Sequence, residues 1–251
     1  MNLEPGTISI IQLAWSRLLG FDDDAMADGR DRIYREDNSA PLLMFVALFG
    51  KEALVGPTWA LDAAKNLSGV ELSRHSTLLS MSRPHGGRGL GEAYLYFCDA
   101  LPSFPDSGPP VSSDPEHALA LERLCPPDDV AEVGLSAMEN TCVLVDETSE
   151  PLLPLAGAGY DTWEGILAHL GVLTAPAERR RGRASYAVSV AVEESMAAGL
   201  IPQWRARTDN VASQRTALRA GFAHAGSQTS VVLEGGAAPG ETVPGGTEQQ
   251  D

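Results

Sequence analysis

Cysteine is scarce: three residues in 251, at positions 98, 125 and 142. An odd number at wide spacing excludes a disulfide framework and any Cys-x-x-Cys metal or redox site, and a reducing cytoplasm is the simplest setting. Long apolar runs are missing too. The longest, Pro41 to Phe49, falls well short of the ~20 residues a membrane span requires. A cleavable signal is not evident, because Met1–Gly6 has no basic residue and Gln12, Ser16 and Arg17 interrupt the apolar stretch beyond it. The expectation is a soluble protein with no membrane partner. Basic charge is short as well: 18 Lys and Arg face 34 Asp and Glu, a net charge of −16. Nucleic-acid binding draws its affinity from neutralised phosphates, so that class is disfavoured. Residues 91–135 alone carry −8, a field that attracts a cationic small molecule or peptide.

The length accommodates one large domain or two small ones, with enough buried surface to fold without a metal or disulfide. Asp22-Asp23-Asp24 lacks the alternating spacing of a calcium loop and is expected to cap a following helix. No metal site is expected. Residues 101–113 hold four prolines and read as an irregular linker, whereas 235–251, with five glycines, two prolines and no aromatic, read as a disordered tail. The organisation is therefore an N-terminal extension over 1–90, a core over 91–234 and the tail. A homodimer is compatible with the sequence.

Apolar spacing predicts a helix over 8–19, a strand over 42–49, a Gly-Lys-Glu turn and a second short strand, a helix over 59–66 and a strand over 76–82. Arg83 to Gly91 reads as a flexible turn. From there strands are expected at 92–98, 142–147, 152–160, 163–174, 201–207 and 227–234. Helices are expected at 118–124, behind a capping box from Ser113, and at 130–135, 185–199 and 211–220. This order describes a mixed α/β sheet with hairpins where a Rossmann pattern would place helices.

One stretch carries chemistry. Val172 to Ala184, VLTAPAERRRGRA, takes a buried strand through a loop rich in arginine and glycine into a helix. The first turn of a helix presents unpartnered N–H groups at the positive end of its dipole, and Gly182 admits a close ligand. Arg179, Arg180, Arg181 and Arg183 add positive charge, and the whole reads as a pyrophosphate cradle. It is neither a P-loop nor a dinucleotide fingerprint, since GxxxxGK[ST] and GxGxxG are both absent from this turn.

Arg179-x-x-Gly182-x-Ala184 resembles the [QR]-x-x-G-x-[GA] acyl-CoA signature of the GNAT N-acetyltransferase superfamily. Asn210-Val-Ala-Ser213, with Gly221-Phe222 eight positions on, is similar to that family's Asn-x-x-Ser…Gly-Phe segment. The resemblance spans residues 92–234 and implies a GNAT-like fold with an α/β extension before it, which could be a degenerate second GNAT-like half. It implies an N-acetyltransferase moving an acetyl group from acetyl-CoA to a primary amine by direct attack in a ternary complex. Backbone groups of Val172, Leu173 and Thr174 would pair with the pantetheine arm. The amides of Arg179, Arg180, Arg181, Gly182, Arg183 and Ala184 would hold the pyrophosphate, and Asn210 and Ser213 would lie near the far end of the arm. Asn210 has a competing role as a helix cap. The family's general-acid Tyr, four residues before Gly-Phe, is replaced by Ala217.

A protonated amine needs a base. Candidates on the strands before the cradle are Tyr160, Asp161, Glu164 and His169, with Glu164 first. Glu164 and His169 have opposite strand parity, so at most one faces the cleft. A non-catalytic acyl-CoA sensor, favoured by Ala217, and an interaction protein using the arginine run are the contending readings.

Overall fold

The computed structural model describes residues 3–27, 31–102 and 108–233; the tail over 235–251 and the centre of the linker lie outside them. In chain order the elements begin with α1 (Pro5–Leu18), β1 (Ile33–Glu36), β2 (Leu42–Leu48), β3 (Lys51–Gly56) and α2 (Thr58–Ala64). Next come α3 (Gly69–Leu72), α4 (His75–Ser82), β4 (Arg88–Phe97), β5 (Val111–Ser112), α5 (Pro115–Leu124) and α6 (Pro127–Val133). The chain continues with β6 (Asn140–Asp146), β7 (Leu153–Trp163), β8 (Leu167–Thr174) and α7 (Arg183–Ala197). It closes with β9 (Ile201–Arg207), α8 (Val211–Arg219) and β10 (Ala223–Val232).

Two compact units result. The first is chiefly Phe97–Trp204 with Arg215–Ala223; the second is Glu4–Tyr96 with Arg205–Gln214 and the chain from His224 onward. In the first, strands run β9-β8-β7-β6-β5, with β6, β7 and β8 antiparallel and β8–β9 parallel. Ala118, Leu121, Leu135, Val143, Val145, Leu173 and Ala175 pack on one face. Helix α7 turns Ala187, Val188, Ala191, Val192 and Ser195 inward, the spacing of a buried helical stripe.

In the second unit the order is β1-β3-β2-β10-β4. Strand β10 pairs antiparallel with β2 from Gly226↔Leu48 to Val232↔Leu42, and β1 lies parallel to β3. Leu43, Phe45, Leu54, Leu61, Leu72, Leu78, Val231 and Leu233 form one core cluster. The last strand of the chain is thus built into a sheet made from residues before 97. The strand set of each unit combines parallel and antiparallel pairs, and the protein is a mixed α/β structure.

Several expected boundaries move. Residues 76–82 are helical, not extended, because Leu78 and Ser82 fall one turn apart on the buried side of α4. The expected strand over 163–174 is broken by a two-residue hairpin turn at Glu164 (φ 54) and Gly165 (φ 63), closed by the Ile166 N–H donating to Trp163 at 3.0 Å. Two left-handed residues in succession are the turn that matches strand twist. The same device at Phe49 and Gly50 replaces the expected Gly-Lys-Glu turn, so Lys51 and Glu52 belong to β3. Helix α5 is capped by Asp114 rather than Ser113: its carboxylate accepts the Glu116 N–H, and Pro115 occupies the first helical position. Asp23 caps no helix; both its oxygens take hydrogen bonds from Arg17 at 2.7–2.8 Å, and residues 23–27 form turns. The linker contributes the short strand β5, and β4 begins at Arg88, inside the expected turn.

Candidate functional site

Strand β8 ends differently on its two edges. Its pairing with β7 runs from Trp163↔Leu167 to Ala156↔Thr174, but its pairing with β9 stops at Leu170↔Trp204. The Ala175 N–H donates to Leu155 at 3.0 Å. That bond sets the phase of the antiparallel ladder: Ala175, Leu173 and Gly171 direct their backbone groups to β7, and Val172 and Thr174 direct theirs away. Past Leu170 the outward edge therefore presents the Val172 N–H and C=O and the Thr174 N–H. The Thr174 carbonyl accepts from the Cys125 thiol at 3.7 Å and from Arg179 Nε at 3.5 Å. Leu173, expected to share in binding through its backbone, has those groups in the β7 ladder and its side chain in the core.

A single turn of 3-10 helix over Pro176–Glu178 comes next, and then the arginine loop. Arg180 (φ 64) and Gly182 (φ 78) are both left-handed. Gly182 is the N-cap of α7 and supplies no side-chain cap, so the N–H groups of Arg183, Ala184 and Ser185 keep no intrahelical acceptor. A Cβ built on Gly182 would meet nothing within 4 Å. Glycine is required here by the backbone conformation, and the space in front of it is open. Arg179 pairs with Asp129 of α6 at 2.6 Å, and Glu178 holds Arg181 at 2.9 Å and Arg183 at 3.2 Å. Arg180 makes no ion pair among the described residues. Sequence reading found the arginines but missed both carboxylates. Glu178 could have been found from its three-residue spacing to Arg181; Asp129, fifty positions from Arg179, carried no local signal.

These residues fit a cofactor with a phosphate end and an extended polar arm: open N–H groups at a helix start, a glycine with free space before it, and an unpaired strand edge leading up to it. Asn210 and Ser213 belong to the second unit. There the Asn210 Oδ1 accepts the Ser213 N–H at 3.0 Å, the capping role that competed with cofactor contact. Ala217 is fully buried, and the turn after it closes with Gly221 left-handed at φ 92, where the Phe222 N–H donates to Ala217.

Of the base candidates, only Asp161 and His169 are directly opposed, across β7 and β8. Tyr160 lies opposite Asn140 on the sheet face that carries Cys142, and Cys142 donates its thiol to Ala187 of α7. Burial, with Glu194, Glu139 and Cys142 nearby, pushes the Tyr160 phenol above its usual range, so it stays protonated and does not serve as a base. Burial likewise raises the Cys142 thiol, to about 12, and it packs without reacting. His169 points to the other face, stacked on Trp163 at 4.0 Å, with its Nδ1 3.1 Å from the Gln203 amide nitrogen. Glu164 sits in the hairpin turn, where strand parity does not govern its direction. The Asp161 carboxylate accepts the Glu139 N–H at 3.0 Å. Trp204 is buried edge-on to Phe222.

Among the described residues no group of three or more His, Cys, Asp or Glu could hold a metal, and no helix is long and apolar enough to cross a membrane. No protein-family model matches the chain, and no curated protein matches it. Solved structures similar to it include a GCN5-related N-acetyltransferase from Kribbella flavida, at 14% identity over 93% of this chain and 98% of that one, TM-score 0.47. An acetyltransferase of the GNAT family from Colwellia psychrerythraea is similar at 13% identity over 71% and 75%, TM-score 0.45. A GCN5-related N-acetyltransferase from Sphaerobacter thermophilus is similar at 15% identity over 62% and 55%, TM-score 0.45.

Proposed function

We propose that the protein is an acyl-CoA-dependent N-acyltransferase that moves an acetyl group to a primary amine by direct attack within a ternary complex. The observation that carries this reading is the junction of β8 and α7, where an unpaired strand edge leads into an open, left-handed glycine turn and the free N–H groups of a helix. When bound, acetyl-CoA supplies the activated acyl carbon. The amides of Gly182, Arg183 and Ala184 hold the pyrophosphate, with Arg180 as a free cation beside them. Val172 and Thr174 take the amide arm as an added strand, which fixes the direction in which its reactive end points. Orientation of this kind, with an N–H directed at the carbonyl oxygen, contributes much of the acceleration in acyl transfer. Helices α5 and α6, carrying Glu116, Glu122, Asp128, Asp129 and Glu132, favour a cationic acceptor.

Acetyl-CoA titrated calorimetrically should bind the parent, and Gly182→Asp should bind about 100-fold more weakly, a loss of about 2.7 kcal/mol. That variant places a negative charge where the phosphates would lie and a side chain on a left-handed residue. Absence of binding by the parent overturns the reading. Ala217, in place of the family's general acid, favours a second reading, a GNAT-like protein that binds acyl-CoA without catalysis. Release of free thiol on addition of an amine panel distinguishes the enzyme from the sensor.

A further inference from the structure

Pairing between β8 and β9 resumes at Leu170↔Trp204, so an arm laid along the open edge from Thr174 past Val172 must end beside Gly171. Gly171 brings no side chain to that point. A Cβ built on it would run into Met138 Cε and come within 2.8 Å of Val133 Cγ1. Gly159, directly opposite on β7, stands in the same relation: its Cβ would lie 3.1 Å from Met138 Sδ. The thioether of Met138 therefore lies flat across two bare backbones. Met138 directly succeeds the 3-10 turn Leu135–Ala137, is half-buried, and packs on the apolar cluster of the first unit without being enclosed by it. Its side chain is apolar and unbranched, and its methyl end lies over Gly171, as befits a group that sets the depth of a slot.

We propose that Met138 is the residue that determines acyl chain length, limiting the space at the thioester end of the arm to a short acyl group. The inference rests on the acyl-CoA reading above and adds which acyl donors the site accepts. Shortening Met138 opens the slot over Gly171 and Gly159; leucine, of nearly equal volume, leaves it filled.

The test is calorimetric binding of CoA, acetyl-CoA, butanoyl-CoA and hexanoyl-CoA to the full chain and to Met138→Ala, Met138→Val and Met138→Leu, with thermal unfolding to establish that each is folded. In Met138→Ala the affinity for longer chains relative to acetyl-CoA should rise about fourfold for each methylene that finds apolar contact, so about fifteenfold for butanoyl, two methylenes longer. Met138→Val should move the same way by less, and Met138→Leu should keep the parent ranking. Unchanged ratios in both shortened variants, with CoA itself still bound, overturn the role of Met138 and leave the cofactor site standing. If the parent binds no CoA species, the acyl-CoA reading falls and this inference with it.

Discussion

Each unit contains the same short sequence of parts: a hairpin turned by two left-handed residues, a strand, a proline and a helix. In the second unit Phe49-Gly50 leads to β3, Pro57 and α2; in the first, Glu164-Gly165 leads to β8, Pro176 and α7. The two junctions are finished in opposite ways. Strand β1 covers β3 up to Gly56, and Asn38 Oδ1 accepts both the N–H and the hydroxyl of Thr58 at 3.0 Å, so strand edge and helix start are satisfied by protein. Strand β8 loses its parallel partner after Leu170, and α7 begins without a side-chain cap. Buried or ordered polar groups are normally paired. Where one copy of a motif is closed by its own chain and the other is left open, the open one is the place to look for a ligand.

The contrast can be broken in several ways. The largest effect is expected from removing residues 1–90. That deletion deprives β10 of β2 and removes the cluster around Phe45 except Val231 and Leu233, so the melting transition of the second unit should be lost. Retention of that transition would mean that β10 does not depend on β2 as described. Proline substitution sharpens the account of the β8 edge. Leu173→Pro removes an N–H directed at β7 and a buried side chain, and should cost about 3 kcal/mol or more in denaturant unfolding. Val172→Pro removes an N–H that faces outward, so stability should fall by no more than about 1 kcal/mol while acetyl-CoA affinity drops roughly three- to tenfold. Equal stability losses in the two variants would refute the assigned phase. Asn38→Ala uncaps α2 and should cost about 1 kcal/mol with no change in cofactor affinity.

The smallest effect concerns His224, whose ring stands edge-on to Tyr94 and Tyr96 at 5.2 and 5.4 Å. Burial lowers its pKa from 6.5. The unfolded chain therefore binds more protons in this window, and the contribution of His224 to stability is complete above about pH 6.5 and declines as pH falls through the lower folded value. His224→Gln should flatten the slope of melting temperature between pH 7 and pH 5; an unaltered slope would assign that dependence to other groups.

Much of the cradle was legible because its signals are local. Arg179, Gly182 and Ala184 lie within six residues, and a strand before and a helix after them can be read from apolar spacing alone. The hairpin at Glu164-Gly165 was hidden because Trp163 and Ile166 continue the apolar run across it. The helix over 75–82 was hidden because Leu78, Leu79 and Met81 suit either period, and packing decided between them. Long-range facts were out of reach altogether. Nothing near Arg179 announces Asp129, nothing near Gly171 announces Met138, and the partnership of β10 with β2 joins positions more than 180 residues apart in places.

The carboxylates beside the cradle change how the site should respond to electrolyte. Three of its four arginines are already engaged with Asp129 and Glu178 on an exposed surface, where such pairs are weak and easily traded. Under the proposed reading, an arriving phosphate would exchange one anion for another instead of stripping mobile ions from bare cations. Affinity should then depend only shallowly on ionic strength, with Arg180 providing most of what dependence there is. In this respect the loop behaves as an anion exchanger loaded in advance with its own counter-ions.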